Sequence, residues 1–312
     1  MTRAAANPCR KSVRILGVRS GIGGRDPGAV GAVDGLMNST LVTRLRAGGL
    51  DARWGEVLQP DTGSTEPFAT MTSFAPQIAQ AVRRTAEAGA TPLVIGGDHS
   101  CAIGTWSGVH AARRGHGPVG LLWIDAHLDS HTPETSHTGL IYGMPLASLL
   151  GHGAPAFTDC LTPEPKLRPE HVCVFGARSY EPEERALLER LGVRVIGMNE
   201  IERRGVEASF DEALAIVRAA AGGYGVTVDL DALDPRDAPG VGTPAPGGLR
   251  AGALVSALAQ VGADAGLVAL EIAEYNPGRD RRGITRQHAV ALAASALGAT
   301  QSEARRRIVR VA

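Results

Sequence analysis

A chain of 312 residues with 44% hydrophobic and 21% charged residues has the composition of a globular protein, long enough for one large α/β domain or two small ones. Lys+Arg and Asp+Glu number 32 each, so no basic excess draws the chain to nucleic acid or to an anionic membrane. No apolar run reaches membrane-spanning length, and no apolar segment of a secretory signal follows Arg3, Arg10 and Lys11. Cys9, Cys101, Cys160 and Cys173 lack CxxC spacing and read as free thiols of a reducing compartment, so a cytoplasmic location is expected.

Taken in chain order, short apolar, β-branched runs predict strands over Val13–Val18, Asp51–Val57, Pro92–Ile95, Gly120–Ile124, Val172–Phe175, Arg194–Gly197, Gly225–Val228 and Gly266–Glu271. Helical patterns lie between them at Ser73–Ala88, Ala102–Arg114, Pro182–Leu191, Phe210–Ala221, Ala251–Val261 and Gln287–Leu297. Alternation of this kind, with nearly continuous apolar strands, predicts a mostly parallel sheet covered on both faces. The Gly/Pro-rich stretches Gly21–Gly28 and Pro235–Gly248 are short and sit where loops belong, so residues 1–312 read as one domain with a core of about 13–297. The Arg-rich stretch Thr300–Ala312 reads as a solvated tail or an oligomer contact.

In open parallel sheets ligands bind beyond the carboxyl ends of the strands, and three predicted strands end in Asp and His. Val94–Ser100 leaves a buried strand through two glycines and presents Asp98 and His99. Leu122–Asp129 ends in Asp125, His127 and Asp129; if the chain stays extended there, period-two spacing puts all three on one face. Thr227–Pro235 repeats the pattern with Asp229 and Asp231, whereas Asp234 falls off the period and reads as ordering the loop that follows. Such groups placed together are costly without a cation, because adjacent carboxylates repel until one protonates. Carboxylate with imidazole suits Mn, Fe or Zn rather than Ca. His99, Asp125, His127, Asp129, Asp229 and Asp231 are too many ligands for one ion and enough for two. A bimetallic site lowers the pKa of bound water, so hydrolysis is the expected reaction class.

The blocks GGDHS (Gly96–Ser100), DAHLD (Asp125–Asp129), VDLDALDP (Val228–Pro235) with GTPAPGGL (Gly242–Leu249), and EIAEYNPGRD (Glu271–Asp280) resemble, in order, the motif set of the arginase/agmatinase (ureohydrolase) superfamily, nearest to arginases. The resemblance implies a three-layer α/β/α sandwich around an eight-stranded parallel sheet, and two Mn(II) per chain. One Mn would be held by His99, Asp125, Asp129 and Asp229. The other would be held by His127, Asp125, Asp229 and Asp231. It places Glu274 against the substrate guanidinium and Asp129 at the attacking hydroxide. Around the far end of the substrate it places His131, Thr138, Glu181 and Glu184, where arginases carry Asn at the first position, usually Ser at the second and Asp at the third. At Tyr142 arginases have a proton-shuttling His; tyrosine, with a reference pKa near 10, relays protons poorly at neutral pH. His137, five residues upstream, is the other candidate for that task.

The expected activity is therefore Mn-dependent hydrolysis of a small guanidino compound, L-arginine to L-ornithine and urea, by a homo-oligomer of three or six chains. Another ureohydrolase (on agmatine, 4-guanidinobutyrate or a modified arginine) and a catalytically weak metal-binding subunit of a hetero-oligomer are the alternatives. The six ligands argue against the last.

Overall fold

The computed structural model describes residues 11–61 and 66–299; Cys9 and the Thr300–Ala312 stretch lie outside them. Eight strands, β1 (Ser12–Val18), β2 (Asp51–Leu58), β3 (Thr91–Ile95), β4 (Gly120–Ile124), β5 (Val172–Phe175), β6 (Arg194–Ile196), β7 (Tyr224–Asp229) and β8 (Leu267–Ala273), form one sheet in the order β2-β1-β3-β8-β7-β4-β5-β6. Every pairing is parallel.

Side-chain alternation along these strands builds the two halves of the core. Val13 and Ile15 of β1, Leu93 and Ile95 of β3, Leu122 and Ile124 of β4 and Phe175 of β5 point to one face. There they pack with residues from the helices Ala32–Met37, Leu41–Ala47, Met198–Arg204, Val206–Arg218, Ala251–Gly262 and Ile284–Ala296. Leu16, Val94, Leu121, Trp123 and Val174 point to the other, under the helices Pro67–Glu87, Cys101–Arg113 and Pro145–Leu149. The result is the expected α/β/α sandwich.

Differences from the sequence reading are local. The helix expected at Ser73 starts at Pro67, in a first turn where the missing proline N–H costs nothing. The one expected at Gln287 starts at Ile284, directly after the left-handed Gly283 (φ 65°). Ala32–Met37, Leu41–Ala47, Pro145–Leu149, Pro155–Thr158 and Met198–Arg204 were not anticipated, being too short to show a 3.6-residue period.

What positions the site is the sheet order. After β3 the chain crosses over, and β8 and β7 later fill the gap between β3 and β4. The carboxyl ends of β3, β8, β7 and β4 thus lie side by side at the centre, the switch point where such folds bind ligands.

Gly97 holds this edge together. A Cβ there would overlap the carbonyl oxygen of Ser20, whose peptide accepts from Asp98 N, and Gly97 O in turn accepts from Glu274 N at 2.7 Å. Because the obstacle is backbone, Gly97→Ala should lower stability by about 1–3 kcal/mol, read as a drop in melting temperature. An unchanged melting temperature would show that the two loops are not held by this approach.

Candidate metal centre

β3 delivers His99, β4 delivers Asp125, and β7 delivers Asp229, all buried. The extended-chain reading of the two Asp-rich blocks is not what the structure has. β4 ends at Ile124 and β7 at Asp229, and each chain then turns. Asp125 Oδ1 accepts from His127 N (2.7 Å) and Asp229 Oδ1 from Asp231 N (2.8 Å), so the same Asp turn is made twice. Asp231 lies in a 3-10 turn, Leu230–Ala232, and Asp129 takes a left-handed backbone (φ 47°). The side chains converge because the chain bends, not because it is pleated.

The convergence is tight. His99 Nδ1 lies 3.1 Å from Asp125 Oδ2, 2.9 Å from Asp129 Oδ2 and 3.3 Å from Asp229 Oδ2. His127 Nδ1 lies 3.4 Å from Asp125 Oδ1 and 3.2 Å from Asp231 Oδ2. Two groups able to hold an ion result, His99–Asp125–Asp229 and Asp125–His127–Asp231, and they share Asp125. Asp129 joins the first through His99.

Electrostatics agrees with the chemistry of these donors. Burial, then the charge of Asp125, pushes the Asp129 carboxyl up to about 8. Burial, then the charges of Asp231 and Asp125, raises Asp229 well above the carboxylate range. Burial opposes charge on His99, but hydrogen bonds to Asp125, Asp129 and Asp229 outweigh it and raise the imidazole well above its ordinary value. Four packed carboxylates thus demand positive charge, and the donor set fits a pair of divalent ions.

Behind the ligands, His99 Nε2 meets Thr227 Oγ1 at 3.0 Å, and that hydroxyl donates to buried Glu271 Oε1 at 2.9 Å. The ring stacks on Trp123 at 4.4 Å, and Trp123 Nε1 donates to Asp125 Oδ2. With the Thr227 hydrogen committed to Glu271, Nε2 keeps its proton, so Nδ1 is the nitrogen that a bound ion would take once it replaces the proton shared with the carboxylates.

Glu274 stands just past β8 in a left-handed conformation (φ 66°), its Oε1 accepting from His99 N at 2.9 Å. It is buried, and no cationic side chain pairs with it among the described residues. Burial, then Asp98 and Asp231, raises its carboxyl well above the usual range. Gly242 lies over it: a Cβ there would stand 3.1 Å from Glu274 Oε2. Non-glycine residues at positive φ cost ~1–3 kcal/mol and gather at functional sites; Asp129 and Glu274 are two of three such residues described.

A cleft of about 560 Å³ opens above, lined by His127, Asp129, His131, His137, Thr138, Tyr142, Glu181, Glu184 and Gly242. Tyr142 has its backbone N on Gly23 O and its side chain hydrogen-bonded to Thr243. Burial raises the pKa of its phenol above the ordinary value, further from a neutral-pH shuttle. His137 is largely exposed, 3.9 Å from Glu183, and Thr138 is exposed, its hydroxyl accepting from Leu140 N. Glu184 is buried rather than on a helix surface. It closes a capping box with Glu181 on the helix Pro182–Leu191 and also accepts from Ser130 N. Burial, with the Glu181 carboxylate beside it, pushes it up to about 7. Glu181 is exposed and reaches His131 Nε2 at 3.1 Å. Asp234 orders its loop as expected, accepting from Arg236 and from Gly247 N.

With that geometry in view, the matches to known proteins converge. The Arginase family model matches residues 11–298. An arginase of Bacillus caldovelox is 41% identical over 224 residues, 71% of this chain and 73% of the relative. The chain belongs to the arginase family. It is a hydrolase of that family, acting on amidine bonds. The crystal structure of an arginase from Bacillus cereus superposes with a TM-score of 0.87 at 33% identity, covering 93% of this chain and 99% of that one. An Entamoeba histolytica arginase solved with L-ornithine superposes with a TM-score of 0.84 at 25% identity, covering 92% and 98%.

One arginase-site neighbour escaped the sequence reading. Arg178 donates to the carbonyls of Gly176, Asp231, Ala232, Leu233, Ala245 and Pro246 and so ties the turn bearing Asp231 to the loop at Gly242. Only an arginine forks widely enough for this. Partners of this kind typically change metal affinity 10–100-fold, so Arg178→Ala and Arg178→Lys should both weaken metal uptake by about that factor. Titration of the metal-stripped protein measures it, and wild-type affinity in both variants would show the cage to be inert.

Proposed function

We propose that this arginase-family chain is a manganese-dependent amidinohydrolase that converts L-arginine to L-ornithine and urea. The observation that carries the reading is Glu274: a buried carboxylate with no cationic partner among the described residues, fixed beside a two-lobed His/Asp cluster at the foot of the cleft. A planar cation fits that position, and the arginase name of the relatives supports a guanidinium.

In this reading His99, Asp125, Asp129 and Asp229 would hold one Mn(II), and His127, Asp125, Asp229 and Asp231 the other, so that Asp125 and Asp229 would serve both. A bound metal pair would supply Lewis acidity and lower the pKa of water toward neutrality. Glu274 accepts the guanidinium N–H groups and holds the carbon at the cluster. Water adds to that carbon, and the bond to the side-chain nitrogen breaks. Asp129, whose carboxylate faces the cluster and lines the cleft, takes the water proton and passes it to the leaving amine. At the rim, Glu181 and Glu184 attract the α-ammonium, Glu184 by charge while its oxygens stay on the backbone, and His131 and Thr138 flank the α-carboxylate. The lack of a linker supports a single catalytic domain, the scattered cysteines a cytoplasmic location, and the family resemblance a homotrimer or hexamer.

Metal analysis after loading should find about two Mn per chain. Asp125→Ala and Asp229→Ala should lose both, while His99→Ala and His127→Ala weaken mainly one. Urea release should favour L-arginine over agmatine and 4-guanidinobutyrate. A single tightly held Zn per chain would sink the bimetallic reading, and preference for a compound lacking the α-amino group would sink the substrate.

Tyr142 stands where arginases shuttle protons. Positioned acid–base groups contribute typically 10²–10⁴-fold, so the protein should be slow at neutral pH with its metal cluster intact. Tyr142→His should raise kcat on L-arginine at pH 7–8 by at least about tenfold within that range, with KM nearly unchanged. A lower kcat with a poorer KM would instead make Tyr142 a substrate-binding residue.

A further inference from the structure

At the rim of the cleft, His131, Glu181 and Glu184 bring three donor atoms together: Nε2 of His131 lies 3.1 Å from Glu181 Oε2 and 3.6 Å from Glu184 Oε2. His131 Nδ1 is 3.1 Å from Thr135 Oγ1, an oxygen that already accepts from Thr132 N (2.9 Å) and points its own hydrogen at Thr132 O (3.4 Å). Thr135 Oγ1 holds the ring so that Nε2 stands toward the two carboxylate oxygens, where a bound ion would take the place of the hydrogen that Nε2 shares with Glu181. Three Lewis bases face one point, with a hydroxyl orienting the imidazole from behind as at known metal sites.

We propose that His131, Glu181 and Glu184 form a third cation site, separate from the His99/His127 cluster, that takes a zinc ion and blocks the rim of the cleft. Ligands about 2.0–2.2 Å from a tetrahedral ion stand roughly 3.3–3.6 Å apart, close to the spacings here. One imidazole and two carboxylates leave a fourth position open toward the cleft, and zinc outranks manganese for such donors. The site is built rather than incidental. His131 and Glu184 are buried, and Glu184 is pinned by Ser130 N at 3.2 Å and Glu181 N at 3.0 Å. The N-terminal end of the helix Pro182–Leu191 opposes a cation, but with about half an elementary charge against two carboxylates. The imidazole stands where the arginase resemblance expects an amide, which would not furnish this nitrogen.

Zinc binding does not depend on the activity proposed above. Its inhibitory effect does rest on that reading, because the ion would occupy the acids assigned to the α-ammonium. The full-length protein loaded with manganese is titrated with zinc chloride, with calorimetry for stoichiometry and elemental analysis for retained manganese. The expected result is one further equivalent of zinc with all manganese retained, and inhibition of urea release through KM with kcat unchanged. Losing an outer-shell partner costs ~10–100-fold in affinity, so His131→Asn, which removes a ligand, should weaken that equivalent at least about tenfold. Glu181→Gln, at an exposed position that does not endanger folding, should weaken it too. Release of manganese as zinc binds, no third equivalent, or equal zinc affinity in both variants would overturn the proposal. Zinc binding as expected in a protein that releases no urea from arginine would instead overturn the substrate assignment and leave the site standing.

Discussion

Four carboxylates, Asp125, Asp129, Asp229 and Asp231, are buried within reach of two imidazoles, and their mutual repulsion is the constraint around which the rest of the site is arranged. Burial strips them of water, so each ionised neighbour raises the cost of the next. Protons answer part of the demand, which is why Asp129 and Asp229 titrate high, but two divalent cations answer it more fully. A fold that carries such an assembly must hold it in place when the charges are unbalanced, and much of the surrounding structure serves that end.

Three devices supply the holding. The Asp turns at Asp125 and Asp229 use one carboxylate oxygen each to fix the next backbone N–H but one, so the ligand shapes the loop that carries its neighbour. The line His99–Thr227–Glu271 crosses from β3 to β7 and β8 and fixes the histidine ring from behind. Arg178 gathers six carbonyls with no carboxylate partner among the described residues. It thereby places positive charge beside the acids while leaving their oxygens free. Against this rigidity the chain can sustain two left-handed residues, Asp129 and Glu274, in the working geometry.

Much of this was legible in the sequence, for a physical reason. Burying a strand on both faces forces an apolar run, and a run that ends abruptly in Asp-x-His or Asp-x-Asp stands out, so the eight strands and the charged ends of β3, β4 and β7 could be read directly. The way the ligands converge could not. Alternation along an extended chain names the same residues as a turn does, because both bring positions i and i+2 together, and only the structure shows that β4 stops at Ile124. Arg178 was invisible because its partners are backbone carbonyls, which carry no sequence signature. The short helices fell below the length at which periodicity speaks. Glu184 shows the opposite difficulty: Glu181-Pro182-Glu183-Glu184 is a legible capping pattern, yet the structure gives the same residue a cap, a hydrogen bond to Ser130 N and a wall of the cleft.

The cleft also explains where this chain is free to differ from its family. At the floor, a change in any one acid shifts the charge balance of a buried cluster. At the rim, the groups sit on loops and on the first turn of the helix Pro182–Leu191. Glu181 and Thr138 are exposed, and His131 holds its place through a threonine four residues on. Tyr142 sits between the two regimes. Its backbone is tied to Gly23 O in the glycine-rich loop, and its side chain reaches Thr243 in the loop that covers Glu274, so it braces two walls. An imidazole at that position would be shorter and would titrate nearer neutrality, trading bracing for proton transfer. The substitution therefore touches rim geometry while the charge balance beneath it stays as it was. In the activity proposed above, substrate choice and speed belong to this rim layer, while the metal cluster belongs to the buried acids beneath it.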